Sequence, residues 1–129
     1  MALTYERDDV RRRITVITTG AVTSGEILAM VDRQAAEGTW SYAMLYDASD
    51  ADSVASADEV RVLDRHVATL IRAHGRRGPV AVLTREAAIF GMTRMYATLG
   101  ESSHQRVDVF RDPPDAERWL AQGDSLSPP

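Results

Sequence analysis

Aspartate and serine crowd into one short stretch of this chain. Residues 42–56 read Y-A-M-L-Y-D-A-S-D-A-D-S-V-A-S, an apolar run that stops at Asp47 and gives way to small polar residues. Three carboxylates in such a loop could hold a hard cation, and Asp47 at a strand end, near Thr84, could accept a phosphoryl group. Neither chemistry fits the spacing. Asp47, Asp50 and Asp52 form D-x-x-D-x-D, which lacks the Gly and terminal Glu of a calcium loop. A phosphoryl acceptor would also need acids after the preceding strand and a lysine near the last one. Thr18 and Thr19 stand in the first place, and the chain has no Lys. The acids are read as solvating a strand end, and no metal is expected.

Other constellations fail on spacing too. His66 and His74 are eight residues apart on one predicted helix, about 12 Å, too far to share a metal. His74 continues an apolar stripe, which predicts a partly buried side chain. His104 falls in a polar loop. No serine stands in G-x-S-x-G, so a hydrolytic triad has no support. The phosphate-binding patterns G-x-x-x-x-G-K-[ST] and G-x-G-x-x-G are both missing. Gly75-Arg76-Arg77-Gly78 precedes a strand rather than a helix, so it reads as a helix stop and a turn. Catalytic residues and cofactors are therefore expected to be none.

Phe90 and Arg94 are a different kind of candidate. Ile89, Met92, Tyr96 and Leu99 form the apolar stripe of their helix, and Phe90 falls almost opposite it with Arg94 at i+4. The pair reads either as a self-contained cation–π contact on a wet surface or as a contact point for a partner. Gly91 beside it leaves room for another backbone.

The elements that position these residues follow from periodicity and caps. Leu3–Arg7 predicts a strand, Asp8-Asp9-Val10 a hairpin turn, and Arg11–Thr19 a second strand. Thr23-Ser24-Gly25-Glu26 is a capping box for a helix to about Glu37, stopped by Gly38. Trp40 stands before the central strand, Tyr42–Asp47, whose unbroken apolarity fits burial on both faces. Ser56-Ala57-Asp58-Glu59 is a second capping box. It opens the longest helix, with Val60, Leu63, Val67, Leu70 and His74 on one face and Gly75 as the stop. Val80–Leu83 is a further buried strand, and Thr84 is the expected N-cap of a helix through Leu99. Arg106–Phe110 predicts an edge strand, and Asp112-Pro113-Pro114-Asp115 the start of a last helix that halts near Gly123. The order β-β-α-β-α-β-α-β-α predicts an α/β domain: a mainly parallel sheet with an N-terminal hairpin.

Residues 1–123 are expected to form one domain, and the polar, proline-rich segment 124–129 to be disordered. At 129 residues the chain is long enough for one domain and no more. Its apolar fraction of 44% and charged fraction of 26% are ordinary for a globular protein. All 15 basic residues are Arg, and the net charge of −4 offers no electrostatic footprint for nucleic acid. Arg72, Arg76 and Arg77 stand at or just past a helix carboxyl end, where the dipole favours cations. Cysteine is absent, which excludes disulfides. No apolar stretch reaches membrane-spanning length and the polar start is no signal peptide, so a cytoplasmic location without membrane contact is expected.

The leading hairpin, the β-α repeat, the strand that ends in Asp before a Ser-rich loop, and F-G-M-T-R-M-Y-A-T-L-G over residues 90–100 resemble SpoIIAA-like, STAS-type bacterial proteins. More narrowly, they resemble the small stand-alone group with likeness to CRAL-TRIO lipid-transfer domains. That resemblance implies a β-α superhelical sheet without a cofactor, acting by binding a protein. It also implies a possible phosphoswitch at a Ser opening the helix after the central strand. Here that region reads Asp52-Ser53-Val54-Ala55-Ser56-Ala57, with the Gly of the D-S-[ST]-G motif missing. The expected function is a non-enzymatic binding domain acting through a homodimer or a regulatory partner. The alternative is a carrier of a small apolar, lipid-like ligand held near Phe90, Met92, Met95 and Tyr96. The binding loop is expected at Asp47, Ser49, Asp50, Ser53 and Ser56 with Thr84, and the partner surface at Phe90 and Arg94.

Overall fold

A computed structural model describes residues 2–125 of the chain, with the side chains of residues 2–122. Five strands form one sheet in the order β1-β2-β3-β4-β5. β1 (Leu3–Asp8) and β2 (Arg13–Gly20) form an antiparallel hairpin, and β3 (Ala43–Ala51), β4 (Val80–Leu83) and β5 (Val107–Phe110) follow in parallel. Helices α1 (Ser24–Ala36), α2 (Ala57–His74), α3 (Ala87–Gly100) and α4 (Pro113–Ser125) alternate with the parallel strands, and a 3-10 turn (Glu101–Ser103) follows α3. The expected topology is the observed one, with the central apolar run in the middle of the sheet.

Strand alternation separates two apolar layers. Ile14, Val16, Met44, Val80, Val82 and Val109 pack against Met30, Val31 and Ala35 of α1 and Val67 of α2. On the opposite face Ala43, Ala81 and Leu45 meet Ala116, Trp119 and Leu120 of α4. Helix α2 packs chiefly on α1 and α3. Its His66 Nε2 lies 2.6 Å from Asp32 Oδ1 of α1. Both predicted capping boxes form: Thr23 accepts from the Glu26 N–H and Ser56 from the Glu59 N–H, each at 3.1 Å, with the glutamates bonding back.

Five expectations are corrected. β2 begins at Arg13 rather than Arg11, because the hairpin turn extends through Arg12, which holds φ at +53°, and the Arg11 N–H is taken by the Asp8 carboxylate. β3 runs four residues past Asp47. A shift in register between Ile17↔Asp47 and Thr19↔Asp50 accommodates an extra residue in β3, and β2 goes on pairing as far as Gly20↔Ala51. Thr84 is not the cap of α3. It is fully buried, its N–H stays bonded to the Phe110 carbonyl of β5, and its hydroxyl accepts the Glu86 N–H; Glu86 occupies the cap position without a side-chain bond. His74 is exposed, its ring 6.2 Å from that of Trp40. The last helix also passes Gly123, so Asp124 and Ser125 are helical; the rest of the expected disordered tail, 126–129, lies outside the described residues.

Candidate functional site

The carboxyl end of β3 and the loop to α2 bring several of the predicted residues into one neighbourhood, each with a local task. The Asp47 carboxylate accepts the Ser49 N–H at 3.0 Å. Ser53 is half-buried; its hydroxyl accepts the Val22 N–H at 2.8 Å and donates to the Val22 carbonyl at 3.3 Å, tying this loop to the one before α1. The Asp52 N–H bonds the Gly20 carbonyl. Ser49, Asp50, Asp52 and Ser56 stay exposed. Thr84 follows Leu83, the register partner of Asp47, but its buried hydroxyl is turned onto its own chain. Among the described residues no group of three or more His, Cys, Asp or Glu is placed to hold a metal ion.

At the start of α2 the Glu59 carboxyl is held below the usual range, first by the Ser56 backbone N–H and then by the Ser24 and Ser56 hydroxyls. Glu59 therefore adds stability above the ordinary glutamate pKa and loses it as the pH falls through the lowered value. As the hydroxyl of this box, Ser56 replaced by Ala is expected to lower stability by about 0.5–2 kcal/mol, and Ser56→Asp to be nearly neutral, since Asp caps equally well. Denaturant midpoints of the two variants check this.

Behind that loop a cavity of about 170 Å³ opens between the sheet and α1, α2 and α3. Met30, Met44, Tyr46, Leu63, Val82 and Met92 form much of its apolar wall. Ser53, Val54 and Ala55 border it at the carboxyl end of β3, where Val54 is 42% exposed and marks the mouth. Asp47, Asp50 and Asp52 are not among its lining. Strand alternation puts Asp47 on the face opposite Tyr46 and Ala48, which do line it. Burial pushes the Tyr46 phenol up to about 12, and the Glu26 charge adds to the shift.

At the other end of the cavity lies a group that the sequence explains only as a helix-end cation. Arg77, at the amino end of β4, is 5% exposed and lines the same cavity. Its Nε donates to Gln34 Oε1 at 3.0 Å, its Nη2 meets the Met44 sulfur at 3.8 Å, and its guanidinium lies 5.1 Å from the Trp40 ring centroid. Tyr96 stands beside it and donates to Gln105 Oε1 at 2.7 Å. Burial lowers the Arg77 pKa, and the Tyr96 hydroxyl partly opposes the shift. The missed signal was the neighbour: Gly78 is pressed against the Ser41 and Tyr42 carbonyls, so the backbone dives under the chain there and carries Arg77 inward.

Of the residues expected around an apolar ligand, Met92 and Tyr96 line the cavity, whereas Phe90 and Met95 do not. Phe90 is half-buried against the main core with the Arg111 guanidinium 4.7 Å over its ring. Arg94 instead pairs with Asp108 at 3.8 Å. The self-contained Phe90–Arg94 cation–π pair, one of the two alternatives, does not form: Phe90 meets Arg111 and Arg94 pairs with Asp108, because β5 and its following turn bring those residues up to α3.

Solved structures give the fold a name. An anti-sigma factor antagonist from Mycobacterium paratuberculosis superimposes with a TM-score of 0.55 at 16% identity, over 92% of this chain and 94% of that one. An uncharacterised protein with a SpoIIAA-like fold from Shewanella loihica gives 0.57 at 19% identity, over 92% of both chains. No family model matches the chain, and no curated protein matches it either. The chain has the SpoIIAA-like fold: a small α/β domain with a leading antiparallel hairpin and a parallel sheet. No helix among the described residues is long and apolar enough to cross a membrane.

Proposed function

We propose that the chain is a cytoplasmic, non-catalytic STAS-type binding domain that acts by engaging a regulatory protein through the ledge at the carboxyl end of its central strand. The carrying observation is the ledge: Ser49, Asp50, Asp52 and Ser56 stand exposed together where β3 hands over to a firmly capped α2. The fold it shares with an anti-sigma factor antagonist, a protein that works on another protein, supports the same reading. Among the described residues no metal-holding cluster forms at this ledge, and the Asp47 carboxylate and the Ser56 hydroxyl accept backbone N–H groups, while Asp50 and Asp52 face solvent.

The test is capture from an extract of the native cell by the full chain, beside an Asp50→Arg/Asp52→Arg variant, with sedimentation of both. A protein retained by wild type and lost by the variant, or self-association lost in the same way, supports the ledge. Equal capture by both overturns its location, and a monomer that captures nothing overturns the reading. A second reading, carriage of a small apolar molecule, is favoured by one specific observation, the 170 Å³ cavity between sheet and helices.

A further inference from the structure

Arg77 is the least explained charge in the molecule. Buried charges are as a rule paired, because removing an ion from water costs several kcal/mol that only an opposite charge and good hydrogen bonds offset. Arg77 is buried yet meets only neutral groups: the Gln34 amide oxygen, the Met44 thioether, the Tyr96 phenol and the face of Trp40. Among the described residues no carboxylate lies within ion-pair distance of it. Gln34 is itself fixed, its Nε2 donating to the Thr39 and Trp40 carbonyls at 3.3 and 3.4 Å, so its oxygen is committed to the Arg77 Nε. The Nη2 side of the fork has only the weak sulfur acceptor. A guanidinium in this state is a ready donor for a planar anion.

The surroundings define the rest of that anion. Among the described residues only two charged side chains line the cavity, Arg77 at the inner end and Glu59 beside the mouth. An anionic head is drawn inward to the first and kept away from the second, while the wall between them is apolar. A single positive charge balances a single negative one, which favours a carboxylate over a doubly charged phosphate. The cavity is slightly larger than one of roughly 150 Å³ that takes up benzene, so it has room for an apolar body of roughly six to eight carbons.

Building on the second reading above, we infer that this cavity binds a small amphipathic carboxylate, head inward on Arg77 and apolar body against Met44, Tyr46 and Met92. The carboxylate supplies the missing counter-charge and accepts from the guanidinium, and the body displaces water from an apolar wall.

Titration of the full chain with sodium octanoate, 1-octanol, octylamine and octyl phosphate, each below its aggregation limit and followed by calorimetry and by the fluorescence of Trp40 in a Trp119→Phe background, tests this. Octanoate is expected to bind saturably, at least tenfold tighter than 1-octanol or octyl phosphate, with octylamine weakest. In Arg77→Met the octanoate affinity falls at least tenfold and that of 1-octanol is retained. Octanoate and 1-octanol binding equally well to wild type would overturn the role of Arg77 and leave the apolar-carrier reading standing. No binding of any probe would overturn both. Undiminished octanoate binding by Arg77→Met would also overturn the assignment, and if that variant does not fold, the ranking of the four probes on wild type decides alone.

Discussion

Gly78→Ala is expected to destabilise the protein by more than about 3 kcal/mol, lowering the urea midpoint by at least about 1 M. A methyl group at this position would sit 2.3 Å from the Tyr42 carbonyl oxygen, 2.5 Å from that of Ser41 and 2.7 Å from the Tyr42 carbonyl carbon. All three are backbone atoms, locked where β3 begins, so no side chain can swing away to make room. The Gly78 N–H donates to the Trp40 carbonyl at 3.0 Å, so relieving the clash would also break that bond. The effect is steric rather than conformational, since Gly78 does not hold a positive φ. Gly91→Ala provides the contrast: its added methyl meets nothing within 4 Å in mid-α3, and a helix-interior Gly→Ala change there should stabilise by roughly 0.5–1 kcal/mol. Equal midpoints for the Gly78 variant and wild type would show that the 76–79 segment does not pass under β3 as described.

Trp40→Ala should cost about 3–5 kcal/mol, the range for removing a large buried aromatic group. The indole is 5% exposed, its Nε1–H donates to the Gly75 carbonyl at 2.8 Å, and its face carries the Arg77 guanidinium. It also closes the carboxyl end of α2, where Gly75 takes a φ of +89° and the helix turns back toward β4. Trp40→Phe keeps most of the apolar contact and the π face but leaves the Gly75 carbonyl unpaired, so its loss should be only about 1–2 kcal/mol. Urea unfolding of the two variants measures the difference. An alanine variant that loses less than about 1 kcal/mol would remove Trp40 from the core and with it the wall behind Arg77.

Local chemistry carried most of the fold into the sequence. Capping boxes at Thr23 and Ser56, the stop glycines at 38 and 75, and apolar runs too short for helices each state one element and its direction. Their alternation leaves the right-handed parallel arrangement as the natural one. These signals work because each depends on atoms within four residues of one another. Where a neighbouring strand decided the outcome, local reading fell short. Asp47-Ala48-Ser49-Asp50 has turn composition, yet β2 runs alongside and offers its ladder as far as Gly20, so the strand continues. Thr84 has the right type and place for a cap, yet the Phe110 carbonyl holds its N–H and delays the helix.

The candidate site divides in the same way. Its mouth was legible, since the loop after a buried central strand lies at the carboxyl edge of the sheet and Ser53, Val54 and Ala55 border the cavity. The cavity itself was not, because an unfilled volume between three helices and a sheet depends on how far apart they stand. Nor was the role of Arg77 visible: in the chain it is one of 15 arginines, beside a helix end that explains a cation by itself. Only the tertiary structure decided that it faces inward. Backbone from residues 40–42 crosses at Gly78, Gln34 from α1 and Tyr96 from α3 converge on the guanidinium, and no acid from any of these elements reaches it. Burial and charge pairing are properties of that convergence, set by residues up to 43 positions apart, and so no window along the chain contains them.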